Sequence, residues 1–490
     1  HKTNSTDIVN ELIKLVKNIY GFDINEIAVK LSILKIIKWI FEKFGFISSK
    51  INKILIKNIR KKNIIIDPID SKYDLVVGNP PYGNILSEKE KQILKTQNIF
   101  NKDIYCAFIL KVLEFNPRLV SFLVPKSFLL RESYLSFRTQ LLSNTNILRI
   151  YDIGSNQFRA ATNEVAVIIY EKKYDEMGKP LKVFDYPDES IITYDNQQVD
   201  CLKICLNKDC LLINRAKKFS VYTSENKCPI CKKETIDLNR IRIKPSEEIF
   251  RLINKIEDIS NLNFLNVRDF PQMKRGEEDI GLREVKKKLT KNLQGSCYFV
   301  DAKQDFQYYH LNPRQSFNIE EIDDSILKGK NYEYYIKSKL LIKHNNIVPE
   351  AIYSEDQYCF TSSIYSLLNP DLKMLKFLCA IMNSALIQFY CIYAINNQKN
   401  TTINLNQYMI RHLPVKKPNK IVKNIMSVLV DSIIAYLQTR NGTYDNKAYN
   451  MFREIDQKIF DLYKLNKFER KLIIEDVRKN ISFFSKVYSN

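Results

Sequence analysis

The sequence predicts an α/β fold followed by further domains, and three observations carry this. Helix-like and strand-like apolar patterns alternate over residues 8–78, an apolar run there ends in two prolines, and 490 residues exceed what one core accommodates. Residues 8–19 have helical apolar spacing, and Tyr20-Gly21-Phe22-Asp23 reads as a short strand closing on an acid. A second helix is expected over residues 26–44. The apolar run 51–56, ending at Asn58, is expected as a strand, and Tyr73-Asp74-Leu75-Val76-Val77-Gly78 as a parallel strand buried on both faces. Ligands of such sheets sit beyond the carboxyl ends of the strands, so Asp23, Asn58 and Asn79 are expected on one rim. There Asp23 is placed to accept both hydroxyls of a nucleoside ribose; the plainer reading makes it a helix N-cap.

Lys and Arg total 76 against 55 Asp and Glu, a net charge of +21. This balance suits a polyanionic partner, although an AT-rich gene, rich in Lys, Asn and Ile codons, also produces it. A hydrophobic fraction of 45% and an aromatic fraction of 11% exclude general disorder. No secretory signal opens the chain, which begins at His1 rather than Met and reads as truncated. Residues 374–395 are the most membrane-like, yet Lys376, Asn383, Ser384 and Gln388 interrupt them, so we expect a buried helix, no membrane partner and a cytoplasmic protein.

Asn79-Pro80-Pro81-Tyr82 is the sharpest signal. Two prolines fix the backbone after the strand and remove two donors, leaving the Pro80 carbonyl to accept. An exocyclic amine on a base is a poor nucleophile because its lone pair is delocalised into the ring. The Asn79 side-chain oxygen and the Pro80 carbonyl can hold its two hydrogens and favour a more tetrahedral nitrogen, while Tyr82 offers a face on which an extruded base stacks. A plain Pro-Pro turn would need neither the Asn nor the Tyr.

These residues resemble the AdoMet-dependent N6-adenine DNA methyltransferases of restriction-modification systems, gamma class, with the target-recognition domain after the catalytic one. Asp103-Ile104-Tyr105, the expected strand 119–124, Pro125-Lys126-Ser127-Phe128-Leu129 and Arg138 are similar to the family's motif series in order. The resemblance implies a Rossmann-like class I methyltransferase domain and S-adenosylmethionine as cofactor, held by Asp23, Asn58 and Asn79. It implies catalysis by Asn79, Pro80, Pro81 and Tyr82, with Tyr82 and Phe158 stacking on the flipped adenine. The contact to the cofactor's adenine falls on Asn58, or on Asp67 if residues 63–66 form the strand. The family's glycine-rich loop is absent, because none of the eleven glycines makes a Gly-x-Gly. The amino-terminal part is therefore expected to be missing, with the loop supplied by an upstream segment or another subunit, or the enzyme decayed.

Ten cysteines in a chain of this length favour thiols or metal ligands over a disulfide framework. Cys205 and Cys210, then Cys228-Pro229-Ile230-Cys231, have the form of a zinc-ribbon-like insert with a structural Zn2+. The first pair is spaced wide, Cys201 is an alternative ligand, and free thiols are the plainer reading. The others, Cys106, Cys297, Cys359, Cys379 and Cys391, are expected as buried thiols.

Beyond residue 241 Arg275, Arg283 and Lys286-Lys287-Lys288 are candidates to track phosphates, or a solvated helix face. Gly329-Lys330-Asn331-Tyr332, Lys339-Leu340-Leu341-Ile342-Lys343, Met382-Asn383-Ser384-Ala385-Leu386 and His412-Leu413-Pro414-Val415 resemble the family's α+β target-recognition domain. The segment 454–463 resembles its closing helix. The expected domains are catalytic 1–195, zinc insert 196–240, target recognition 241–420 and a helical end 421–490. The implied function is methyl transfer to N6 of a flipped adenine in double-stranded DNA, with a cognate restriction endonuclease as partner. Alternatives are a catalytically incomplete specificity subunit, a truncated restriction-methylation fusion, and an RNA or protein acceptor.

Overall fold

The computed structural model describes all residues except 1–4, 69–70, 155–163, 175–178, 187–190, 195–198, 211–220, 261–272, 324–325, 327–331, 347, 396–404 and 490. The chain forms two compact units: His1–Lys126 with Ser136–Asp152 and Val165–Leu181, and Ser127–Leu135 with Ile153–Glu164 and Lys182–Asn490.

The first unit opens with helix α1 (Ser5–Lys17), strand β1 (Gly21–Asp23), helix α2 (Glu26–Phe44), helix α3 (Ser49–Asn58) and strand β2 (Ile59–Lys61). Asn25 caps α2 through the amide of Ile27, and Gly45 ends it at φ 74°, the left-handed turn that glycine adopts without strain. The expected strand over residues 51–56 is instead α3. Ser48 caps it, and Ile51 and Leu55 recur at helical spacing and are buried against Leu12, Val16 and Ile33. The strand begins only at Ile59, where β2 pairs in parallel with β1.

After these come strand β3 (Leu75–Gly78), helix α4 (Glu88–Thr96), helix α5 (Ile104–Lys111), strand β4 (Leu119–Pro125), helix α6 (Leu135–Asn144), strand β5 (Thr145–Gly154) and strand β6 (Val165–Lys172). The sheet runs β3, β4, β6, β5, with β3 parallel to β4 and β4 antiparallel to β6. The expectation that β3 is buried on both faces fails. It is an edge strand among the described residues, with Leu75 58% and Val77 68% exposed.

In the second unit, residues 199–241 carry a small antiparallel sheet, β9 (Lys203–Cys205) between β10 (Val221–Thr223) and β11 (Ile236–Asp237), numbered after β7 (Leu181–Asp185) and β8 (Ile191–Tyr194). A four-stranded antiparallel sheet follows, in the order Met273–Arg275, Ile364–Leu367, Lys339–Lys343, Glu350–Ser354. Residues 374–395 form the expected buried helix in two pieces, Leu372–Asn383 and Ala385–Ile395, bent by 54°. The bend has a local cause. The Asn383 side chain leaves the helix to pair with Ala351, accepting from its N–H at 2.7 Å and donating to its carbonyl at 2.8 Å, and Ser384 caps the next helix. Lys420–Thr439 is long and apolar enough to cross a membrane by length and composition; it buries Met426, Val430, Ile433 and Leu437 in the core shared with Asn446–Leu462 and Lys467–Asn480.

That core encloses Asp456, which accepts from the Ala385 amide at 2.9 Å and the Tyr488 hydroxyl at 2.6 Å. Burial pushes its pKa up to about 7 against the two donors. Because the folded value lies above the unfolded one of about 3.9, the folded protein keeps a proton that the unfolded chain has lost, so this group's contribution to stability falls as pH rises through about 7. Asp456→Asn is therefore expected to gain on the parent between pH 5 and pH 8, by on the order of 5 °C in thermal midpoint. Parallel melting curves for the two proteins would refute the assignment.

Candidate active site and cysteine cluster

The chain leaves the sheet at Gly78, and Asn79 is the first residue beyond the ladder. Pro80 is buried, and Tyr82 is half-buried with its ring edge-on to Tyr105 at 6.1 Å. The Tyr82 hydroxyl shares its one proton between Asn79 Oδ1 at 2.7 Å and the Leu123 carbonyl on β4 at 3.2 Å, the nearer being the stronger partner, and burial raises its pKa. The Asn79 oxygen is thus turned into the loop as an acceptor. Gly83 closes the loop at φ 103°; its N–H donates to Asp103 Oδ1 at 3.0 Å and its carbonyl accepts from the Ile104 N–H at 3.1 Å. Asp103, at the start of α5, therefore pins the loop rather than capping its own helix.

Asp23 ends β1 exposed, and its Oδ1 accepts from the Asn25 amide at 2.7 Å. The N-cap of α2 is Asn25, so the plainer reading of Asp23 falls away. Asn58 departs from expectation. It closes α3 instead of a strand, is 7% exposed, and donates to the carbonyls of Val16 and Lys17 at 3.2 Å each, tying α1 to α3. Asp67, the alternative, lies in a turn, not after a strand, and its Oδ2 accepts from the Asn63 amide at 2.7 Å. Phe158 lies outside the described residues. Sequence reasoning missed the buried pair of Lys126, after β4, with Asp152 on β5 at 2.8 Å; Asp152 is the one acid on that strand, which was the available signal.

In the second unit, Cys205, Cys210, Cys228 and Cys231 converge with their sulfurs all within 4.8 Å of one another. Cys205 and Cys231 stand 3.6 Å apart and Cys210 and Cys228 3.5 Å, close to the separation of about 3.8 Å that tetrahedral zinc with four thiolates imposes. The Cys228–Lys233 turn is a knuckle: the Lys232 amide donates to the Cys228 carbonyl at 2.9 Å and Lys232 sits at φ 62°. Burial pushes Cys205 up to about 11 and Cys210 higher, whereas the Asn207 side chain holds Cys231 down to about 6. Cys201 is exposed and outside the group. Cys106, Cys297, Cys359, Cys379 and Cys391 are buried thiols, as expected.

Of the candidate phosphate contacts, Arg275, Lys287 and Lys288 already pair with Glu278, Glu284 and Glu321 on the surface. Lys339 is buried, donates to the Asp356 carbonyl at 2.5 Å, and is lowered to about 8 by burial. Residues 329–331 lie outside the described residues.

Residues 17–158 match the Eco57I restriction-modification methylase family, and residues 303–415 match the TaqI-like C-terminal specificity domain. The chain joins a methylase domain to a specificity domain. RM.MjaORFECS2P of Methanocaldococcus jannaschii is 23% identical over 415 residues, 80% of this chain and 31% of that protein. The type II methyltransferase M.VspI of Vibrio sp. (strain 343) is 31% identical over 179 residues, 34% of this chain and 40% of its own length. The chain thus spans less than half the length of either relative. Its fold is similar to that of the Type IIL restriction-modification enzyme MmeI, solved in complex with DNA, over 96% of this chain and 67% of that one, with a TM-score of 0.50 and 11% identity. The Asn79–Tyr82 loop falls in the methylase domain. The Asn383 bend and Lys339 fall in the specificity domain, where both serve packing.

Asp103→Ala removes the carboxylate that holds the Gly83 amide, a charged hydrogen bond worth about 1.5–3 kcal/mol. Exchange of the Gly83 amide is expected to accelerate by about ten-fold or more, read by NMR or mass spectrometry; an unchanged rate would show the loop to be held by other contacts.

Proposed function

We propose that this chain is the catalytic and specificity portion of a restriction-modification DNA methyltransferase that transfers the methyl group of S-adenosylmethionine to N6 of an adenine flipped out of double-stranded DNA, acting in the cytoplasm beside a cognate restriction endonuclease. The observation that carries the reading is the Asn79 oxygen, held by Tyr82 at the carboxyl end of a parallel strand within a methylase domain. The hydrogen bond from Tyr82 occupies the position in which an amino hydrogen would sit. When an adenine enters, its amine takes Asn79 Oδ1 and the Pro80 carbonyl, and the Tyr82 ring lies against the base, with Phe158 on its other face. Two acceptors on one nitrogen favour the tetrahedral form, so direct attack needs no prior proton loss.

Only part of the cofactor site fits. Asp23 suits the ribose hydroxyls and Asn79 stands next to the reacting centre, whereas neither Asn58, which closes a helix, nor Asp67, which lies in a turn, follows a strand as the adenine contact requires. S-adenosylmethionine would supply the electrophilic methyl. A glycine-rich loop is wanting among the eleven glycines, so the reading requires a strand, turn and helix from other polypeptide; the open edge of β3 is where such a strand pairs. That gap favours a second reading, a chain that reads DNA without catalysing. Calorimetry on the chain bears on both: S-adenosylmethionine bound with a stoichiometry near one supports the enzyme, and no binding supports the second reading or an enzyme whose loop comes from a partner.

In protein active on plasmid DNA, Asn79→Ala is expected to lower methyl incorporation on the order of 100-fold or more and leave DNA affinity within about two-fold. Retained turnover, or a product other than N6-methyladenine, overturns the assignment. The four cysteines are read as a structural zinc site with no position left for water. Metal analysis after purification without chelator is expected to find about one zinc per chain, and less than about half an equivalent counts against it.

A further inference from the structure

Tyr222 lies in neither matched domain, yet it touches a residue of each. Its hydroxyl donates to Glu132 Oε2 at 2.7 Å, and Glu132 belongs to the methylase match. Its ring stacks on His412, which belongs to the specificity match, with centroids 3.8 Å apart and planes 26° apart. Arg240 lies over the same ring at 5.8 Å. Tyr222 and His412 are each 4% exposed, so the stack is sealed from water. All of these residues belong to the second compact unit, where the segment Ser127–Leu135 continues the chain from β4.

What holds Tyr222 there is small. β10 has three residues, its partner β9 three and β11 two. Strands this short do not make an independently stable sheet. The alternation of β10 sends its neighbouring side chains to opposite sides. Val221 packs among Cys205, Cys210 and Cys228, while Tyr222 packs with Leu135, Leu202, Ile204 and Leu238. The cysteine cluster is therefore the anchor of one face of β10, and the link to Glu132 and His412 is the other.

We propose that the metal-ordered cluster works as a pin: by fixing β10 it holds Tyr222 between Glu132 and His412, and so keeps the segment Ser127–Leu135 and the end of the specificity domain in a single arrangement. This rests on the metal reading above, but the bridge through Tyr222 stands on its own geometry. The ligand class is a divalent soft metal taking four thiolates, for which zinc is the probe.

Hydrogen exchange by mass spectrometry on the whole chain tests both parts. Peptides covering residues 127–135 and 408–415 are expected to exchange about ten-fold faster after the metal is stripped with chelator, and equally so in Tyr222→Leu with its metal retained. Peptides from residues 446–462 should not change. Tyr222→Phe keeps the ring and loses the bond to Glu132, so it should loosen 127–135 and leave 408–415 unchanged, and it serves if the leucine variant does not fold. Unchanged exchange at 127–135 and 408–415 in the Tyr222 variants overturns the bridge. Unchanged exchange on stripping, with those variants loosened, overturns the metal's part. A chain that purifies without metal overturns the metal reading, while the Tyr222 variants still decide the bridge.

Discussion

The register of β3 against β4 decides where the chain leaves the sheet, and the candidate site depends on it. The rungs run from Leu75 beside Leu119 to Gly78 beside Phe122. A side chain at the last rung would crowd the Phe122 ring, since a Cβ on Gly78 would stand 3.0 Å from Phe122 Cε1. Asn79 follows at once, and Pro80 and Pro81 offer no N–H with which the ladder could continue. Tyr82 then returns to β4 at Leu123, one residue beyond the final rung. A slip of one residue would send every side chain of β3 to the other face and carry Asn79 away from the Tyr82 hydroxyl.

The demand that polar groups leaving water find partners organises the ends of the segment 200–242. Asp200, Arg240, Arg242 and Glu257 meet where their side chains are almost wholly buried. Arg242 reaches Glu257 at 2.5 Å, Arg240 reaches both acids, and Tyr390 donates to Glu257 at 2.6 Å. Two cations against two anions leave no net charge to bury, and burial opposes the Arg240 charge less than Asp200 and Glu257 favour it. Breaking one member would strand its partner, which is far costlier than the pair is stabilising. This cluster fastens the segment 200–242 to helix Glu247–Ile259 and, through Tyr390, to the helical core.

What the sequence made legible was geometry tied to fixed local spacing. The loop Asn79-Pro80-Pro81-Tyr82 at the end of a strand reads directly because proline and a following aromatic act within four residues, and the meeting of the four cysteines reads because they come as two closely spaced pairs. The alternation of helix and strand was legible for α1, β1 and α2 for the same reason. Asn58 was misplaced because a short apolar run does not distinguish strand from helix; the Ser48 cap and the Ile51 and Leu55 spacing, both present, point to helix. The Lys126 pair with Asp152 and the Tyr222 stack on His412 join residues far apart in the chain, and no local pattern announces such contacts.

Exposure of β3 bears on the same question as the missing glycines. Next to it in the sheet, Val120, Phe122 and Val124 of β4 are buried at 0%, 3% and 0%, while Leu75 and Val77 of β3 stand at 58% and 68%. The two strands are alike in composition, so the difference lies in what covers them. Parallel strands are stable when helices cover both faces and neighbours satisfy both edges. α2 shows the same want, with Ile27, Leu31, Leu34 and Trp39 each more than half exposed. A strand and helix arriving at β3 would cover apolar surface of this kind at the edge whose carboxyl end leads into Asn79. The exposed edge of β3 and the loop that leaves it at Asn79 are thus one feature of the sheet, the side on which the strand has no neighbour among the described residues.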